Sequence, residues 1–267
     1  NQLETRPRRG AIVTLEACAG LVERGDPDRF LAVMSAPVAA RAVLFPLYAF
    51  NLEVARAPWV TKEPLIARMR LQWWRDAIAE IAQGDPPRAH EVTGPLAQVI
   101  RDHALPVSVF STLITAREWD IDGSDFTSEE EVIAHIDRGA GSLAVLAALS
   151  LGARPEDETD LREAAIAGAI ANWLVAVPAL EGLGRKPLAH ATLAEIRNLA
   201  DYGLRMLDRQ RGRDFGAANA ALRSGWQARD LLKLAHKEPE RVPQGRLTTS
   251  EFRRKWTLMR KAWGGGW

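Results

Sequence analysis

The string GAGSLA at residues 139–144 has the glycine spacing with which a backbone can cradle a dinucleotide pyrophosphate. It follows EEEVIAHIDR, a helical sequence and not the strand that such a turn requires. The small residues Gly139, Gly141 and Ala144 therefore read as a place where a neighbouring helix comes close. Ser142 sits in the same stretch without the G-x-S-x-G elbow of a serine hydrolase. Asp120, Asp122, Ser124 and Glu131 fall on positions 1, 3, 5 and 12 of a calcium loop, but position 6, which needs glycine for its sharp turn, is Asp125. The five histidines, His90, His103, His135, His190 and His236, show no paired ligand spacing and read mostly as surface or loop residues. On a helix the adjacent rings of Trp73 and Trp74 point about 100° apart, so one can enter the core while the other covers a groove, partner or cavity. The basic clusters Arg209, Arg211, Arg213 and Arg253, Arg254, Lys255 could meet a diphosphate or anionic lipid, and read first as solvated faces.

The elements that must position these residues are helices. Apolar residues recur at three- and four-residue spacing, and strand-like alternation never persists between turn signals, which divides the chain into ten or eleven helical segments. Asp26 before Pro27 marks one start, and Thr127 with Glu130 and Thr192 with Glu195 have capping-box spacing. Gly25 and Gly84 mark helix ends, and Pro46 predicts a kink or break inside the run 37–56. The connections at 84–95, 152–160 and 181–190 are short enough to lie within one bundle.

A chain of 267 residues can bury roughly 70 to 75% of its unfolded surface, enough for one large core. With 35 Lys plus Arg against 34 Asp plus Glu, its net charge of +1 provides no field that would gather nucleic acid. Cys18 is the only cysteine, which excludes an internal disulfide and a Cys-based zinc cluster and fits a reducing, cytoplasmic setting. Two charge-free stretches, 139–153 and 164–180, are shorter than the roughly 20 residues that span a bilayer and read as buried helices. The expected organisation is a tail and first helix over residues 1–25, then one all-α domain over 26–267 with a flexible end at 264–267.

RAVLFPLYAFNLEVAR (41–56), MRLQWWRDAIAEIAQG (69–84), AREWD (116–120), EEVIAHIDRGAGSLAVLAALSLG and GRKPL (184–188) resemble the squalene/phytoene synthase superfamily. YAFN and RLQWWRD are similar to the branch that holds a mitochondrial assembly factor of respiratory complex I and its bacterial relatives. The resemblance covers about Asp26 to Leu188, and implies a single isoprenoid-synthase-like helical bundle around a central apolar cavity. It assigns Arg41, Tyr48, Phe50, Asn51, Glu53, Trp73, Trp74, Gly141, Leu143, Asn172 and Arg185 to that cavity or its ligand.

Synthases of the family use two D-x-x-x-D pairs to hold magnesium against a departing diphosphate, because magnesium demands oxygen ligands and the i, i+4 spacing puts both carboxylates on one helix side. Carried over on YAF, the first pair falls on Ala55 and Trp59; carried over on Asn172, the second falls on Ala176 and Leu180, with Val175 in the arginine position. The resemblance therefore implies a non-catalytic assembly or binding factor with no metal and no cofactor. Its partner is a respiratory complex I component or assembly intermediate, with an isoprenoid lipid as a further ligand and at most peripheral contact with the inner membrane. Two alternatives stay open. One is an active head-to-head prenyl transferase using magnesium on the relocated acids Glu53, Asp76 or Asp120; the other is a structural scaffold with a filled cavity.

Overall fold

The computed structural model describes residues 9–267, which contain helices and no strand. The first helix, α1 (Arg9–Gly25), leads into α2 (Pro27–Met34), whose start is fixed by the Asp26 side chain accepting the Arg29 amide at 2.9 Å and by Pro27 at the first helical position. Helix α3 (Val38–Arg56) runs on through Pro46 without the expected break. Leu44 to Asn51 are buried without interruption, and that packing outweighs the one backbone hydrogen bond a proline removes. A 3₁₀ turn at Ala57–Trp59 ends it.

Helix α4 (Pro64–Gln83) closes on Gly84, whose φ of 93° is the left-handed conformation that favours glycine. Then come α5 (Thr93–Asp102), α6 (Val107–Ala116) and the single turn α7 (Trp119–Asp122). Helix α8 (Glu129–Ile136) is capped by Ser128, which accepts the Glu131 amide at 3.3 Å, while Thr127 donates its own amide to Glu131 Oε2 at 2.7 Å. The capping box thus lies one residue after the expected Thr127 and Glu130 pair. A π turn at Asp137–Gly141 joins α8 to α9 (Ser142–Ser150), and α10 (Glu158–Gly182) is the longest helix.

Thr192 caps α11 (Leu193–Arg209), accepting the Glu195 amide at 3.1 Å, and buried Glu195 reaches back to the amides of Ala189 and His190. The chain ends with α12 (Asn219–Leu222), α13 (Ala228–Lys237) and α14 (Glu251–Trp263). Short turns and the π interruption raise the helix number above the sequence expectation.

Two apolar clusters form the core. One gathers Leu44, Phe50, Ile78, Phe110 and Leu146 from α3, α4, α6 and α9; the other gathers Val132, Ile170, Leu174, Leu199 and Leu232 from α8, α10, α11 and α13. Helix α10 belongs to both, through Leu161 on one side and Ile170 on the other. This accounts for much of its charge-free centre, since both clusters need an apolar face from it, while Asn172 and Val175 lie on an exposed side.

Counted as whole helices, Val38–Trp59, Glu129–Ser150 and Pro155–Gly182 are long and apolar enough to cross a membrane, unlike the charge-free runs alone. Here 56%, 61% and 44% of their most apolar windows are buried inside the bundle, so core packing accounts for part of their apolar character. The tail does not extend freely either. Trp267 Nε1 donates to the Arg213 carbonyl at 3.3 Å, and Asn219 and Arg223 donate to the carbonyls of Gly265 and Gly266 at 3.1 and 3.2 Å.

Candidate functional site

The centre of the bundle opens through a polar cleft of about 280 Å³ onto a smaller inner void of about 40 Å³. The N-terminus of α2 gives Asp26, Asp28 and Arg29 to the cleft; α3 gives Asn51, the end of α6 gives Arg117 and α10 gives Asn172. Tyr48, Leu143 and Asn172 also line the inner void, together with Trp267. Small residues make the space between helices: an added Cβ at Gly168 would lie 2.7 Å from Gly225 Cα.

The charges of the cleft are arranged around arginines. Arg29 lies 3.3 Å from Asp26 and places its guanidinium 5.0 Å from the Tyr48 ring centre. Tyr48 donates to the Ala221 carbonyl at 3.4 Å, and burial pushes its phenol up to about 12, so it stays a protonated donor. Asn51 accepts from Arg117 at 3.4 Å, and Arg117 also reaches Asp120 at 3.7 Å. Burial raises the Asp120 carboxyl, opposed by the charges of Arg117 and Arg185. Arg185 donates twice to the Asp120 carbonyl, at 2.6 and 3.1 Å, and its guanidinium lies 5.4 Å from the Trp59 ring centre. The Nε groups of Arg29 and Arg117 are buried without a hydrogen-bond acceptor.

A second concavity, about 550 Å³, lies elsewhere on α3 and α4 and contains Glu53, Trp73, Trp74 and His90. Trp74 is buried, while half-buried Trp73 stands edge-on to it at 4.9 Å and carries the Arg88 guanidinium at 5.5 Å. Arg88 is itself held by both oxygens of Glu80, at 2.6 and 2.7 Å. One ring thus enters the core and the other walls a groove. Val60, Ile66 and Met69 give this groove an exposed apolar rim.

The residues assigned from sequence are therefore divided. Tyr48, Asn51, Leu143 and Asn172 meet at the central cleft and void, and Glu53, Trp73 and Trp74 meet in the groove. Arg41 lies at neither place; it donates to the Met34 carbonyl at 3.0 Å and ties α3 to the end of α2. Phe50 is core, edge-on to Trp74 and Phe110 at 5.3 and 5.4 Å. Gly141 lies in the π turn against the side chains of Asp137 and Arg162, where a Cβ would come within 2.0 Å of Asp137 Oδ1 and displace that carboxylate. Arg185 braces the loop after α10 against Asp120.

The candidate acids are ion-paired: Glu53 with Arg56 at 3.4 Å, Asp76 with Arg88 at 3.7 Å and Asp120 with Arg117. Among the described residues no three of His, Cys, Asp and Glu converge as a metal would require. Arg29, Arg117 and His135 were not singled out from sequence as site residues. The signal for the first was present, since Asp26-Pro27-Asp28-Arg29 is a capped helix start aimed at α3. His135 is the exception among the histidines: it is buried between Trp119, Phe126 and Trp173, at 5.1 to 5.4 Å. Burial, with the charges of Arg117 and Arg138, pushes its imidazole down to about 3.

The family model for squalene/phytoene synthase matches residues 22–250. Complex I assembly factor 6 of Bos taurus is 28% identical over 143 residues, covering 54% of this chain and 43% of that protein. The chain thus spans less than half the length of this mammalian relative. The homolog of assembly factor 6 in Drosophila melanogaster is 28% identical over 233 residues, covering 85% and 68%. A dehydrosqualene synthase solved with ligand superposes at a TM-score of 0.76 with 16% identity, covering 96% of this chain and 97% of that one. Squalene synthase HpnC from Alicyclobacillus acidocaldarius superposes at 0.69 with 15% identity, covering 90% and 97%. At such identities the two structures establish the fold, the all-α bundle of the squalene-type synthases. With a match across most of its length, the chain belongs to the squalene/phytoene synthase family.

Proposed function

We propose that this chain is a non-catalytic member of its family that binds a protein partner during assembly of respiratory complex I. The observation that carries this reading is the contact of Arg185 with Trp59. Trp59 stands where the carried-over pattern expects a magnesium-binding carboxylate, and the neighbouring charge is a guanidinium. A cation held there repels a second cation, and an indole face offers no oxygen to magnesium. Ala55, Ala176 and Leu180 at the other carried-over positions supply no oxygen either. The names of the relatives support the choice of partner.

The apolar groove beside Trp73 is the surface we assign to the partner, since its rim exposes Met69 at 63% and Ile66 at 45%. The alternative of a prenyl transferase with relocated acids is disfavoured by the ion pairs that occupy Glu53, Asp76 and Asp120.

Two measurements test the proposal. Incubation with farnesyl or geranylgeranyl diphosphate and magnesium is expected to release no diphosphate, and magnesium-dependent turnover would overturn the non-catalytic reading. Affinity purification of the tagged chain is expected to recover complex I subunits or intermediates. Recovery of none would remove the assembly role.

A further inference from the structure

Helix α14 turns an apolar ridge away from the molecule. At about 100° per residue, Phe252, Trp256, Met259 and Trp263 fall within an arc of about 60° on this helix. All four are exposed, from 49% at Met259 to 88% at Trp263. The rings of Phe252 and Trp256 stack along the ridge, 6.4 Å apart and 10° from parallel. The opposite face, with Arg254, Thr257 and Leu258, is half-buried, and Arg254 pairs with Asp28 of α2. The body therefore holds α14 in one rotation, with the ridge outward.

The flanks of the ridge are basic. Glu251–Trp263 contains five Lys and Arg against one acid, Glu251. Lys255 borders the ridge on one side and Arg260 on the other, and no carboxylate pairs with Arg260 among the described residues. Lys255 reaches only Glu251, at 3.9 Å, with both side chains largely in solvent. Aromatic rings on one stripe with long cationic side chains beside it are the composition of a helix that lies in a membrane interface. The rings enter the boundary between headgroups and acyl chains, and the cations rise to the phosphates.

We propose that α14 is an interfacial helix that seats the protein on the surface of an anionic lipid bilayer. Charge selects this occupant. A second copy of α14 laid on the first would bring the same basic flanks together, whereas acidic headgroups complement them. The ridge is distinct from the three long apolar helices, whose most apolar windows are 56%, 61% and 44% buried inside the bundle. This surface is separate from the partner groove on α3 and α4, so either assignment can fail without the other.

The test is flotation of the full chain with phosphatidylcholine vesicles that contain or lack phosphatidylglycerol. The chain is expected to float with the acidic vesicles, to float poorly with the neutral ones and to be released by salt. Phe252→Ser/Trp256→Ser/Trp263→Ser removes the ridge and Lys255→Glu/Arg260→Glu reverses its flanks. Each is expected to weaken binding to acidic vesicles by about tenfold or more. Their thermal unfolding should match that of the parent chain, because the substituted side chains are exposed. Flotation that ignores the acidic lipid, or that both variants leave intact, overturns the proposal. So does self-association of the parent that the serine variant abolishes without any lipid binding, which would assign the ridge to a second copy.

Discussion

The guanidinium of Arg185 lies 5.4 Å from the centre of the Trp59 ring while two of its nitrogens donate to the Asp120 carbonyl. One side chain thereby joins the end of α3, the turn of α7 and the loop after α10. Charged hydrogen bonds and a cation over an indole each contribute about 1 to 2 kcal/mol. Arg185→Ala is expected to lower stability by about 2 kcal/mol in urea unfolding, and Arg185→Lys to recover only part of it, since an ammonium cannot make the forked contact. Equal stability of the alanine variant and the parent would show that the brace carries nothing.

Gly168 and Gly225 bring α10 and the turn before α13 into backbone contact at the wall of the central void. A Cβ on Gly168 meets backbone at 2.7 Å, which no rotamer change relieves. Gly168→Ala is expected to cost about 1 to 3 kcal/mol by overpacking. Gly182→Ala, near the end of the same helix with open space around it, should be neutral or slightly stabilising. Thermal unfolding of the pair separates the contact from helix propensity.

Most of the fold was legible because helix signals are local. The cap at Asp26, the end at Gly84 and the charge-free centre of α10 each depend on a few adjacent residues, and each holds in the structure. Pro46 does not break α3, because the continuous burial of residues 44–51 holds the helix together around it. Tyr48, Asn51 and Asn172, expected at the cavity from the carried-over motifs, line the central cleft or the void behind it. Arg41, Phe50 and Gly141 did not join them, because proximity in a motif does not say which side of a helix faces the cleft. The return of Trp267 to the bundle and the burial of His135 rest on contacts between distant segments, which spacing does not encode.

His135 makes stability depend on pH. Its folded imidazole is held down to about 3, while in the unfolded chain it protonates near 6.5, the ordinary histidine value. Between those values the unfolded state binds the additional proton, so its contribution to stability is complete above about pH 6.5 and falls as pH drops toward 3. The slope approaches about 1.4 kcal/mol per pH unit. His135→Phe keeps a ring among Trp119, Phe126 and Trp173 and removes the titration. Urea midpoints between pH 4 and 7 are expected to fall less steeply for this variant than for the parent. Parallel curves would contradict the buried neutral imidazole.

Cys18 is fully buried in the cluster under α1 and α3, and burial, with the charge of Glu91 adding to it, pushes its thiol up to about 12. A neutral, inaccessible thiol is a poor nucleophile, since alkylation requires the thiolate. The native chain is expected to resist iodoacetamide at pH 8 and to take up one equivalent after denaturation, read by intact mass. Rapid native labelling would show that α1 opens readily from the bundle.

The partner groove gives the sharpest functional test. Ile66 and Met69 stand on its rim with large exposed fractions, so a charge there meets solvent in the free protein and costs little stability. In a docked complex the same charge would be buried without a counterion, which is expensive. Ile66→Glu/Met69→Glu is therefore expected to reduce recovery of complex I subunits by about tenfold or more while thermal unfolding stays within about 0.5 kcal/mol of the parent. Arg41→Ala loosens the tie between α2 and α3, outside the groove, and should leave recovery unchanged. Undiminished capture by the groove variant would move the partner to another face of the bundle, whatever the catalytic status of the cleft.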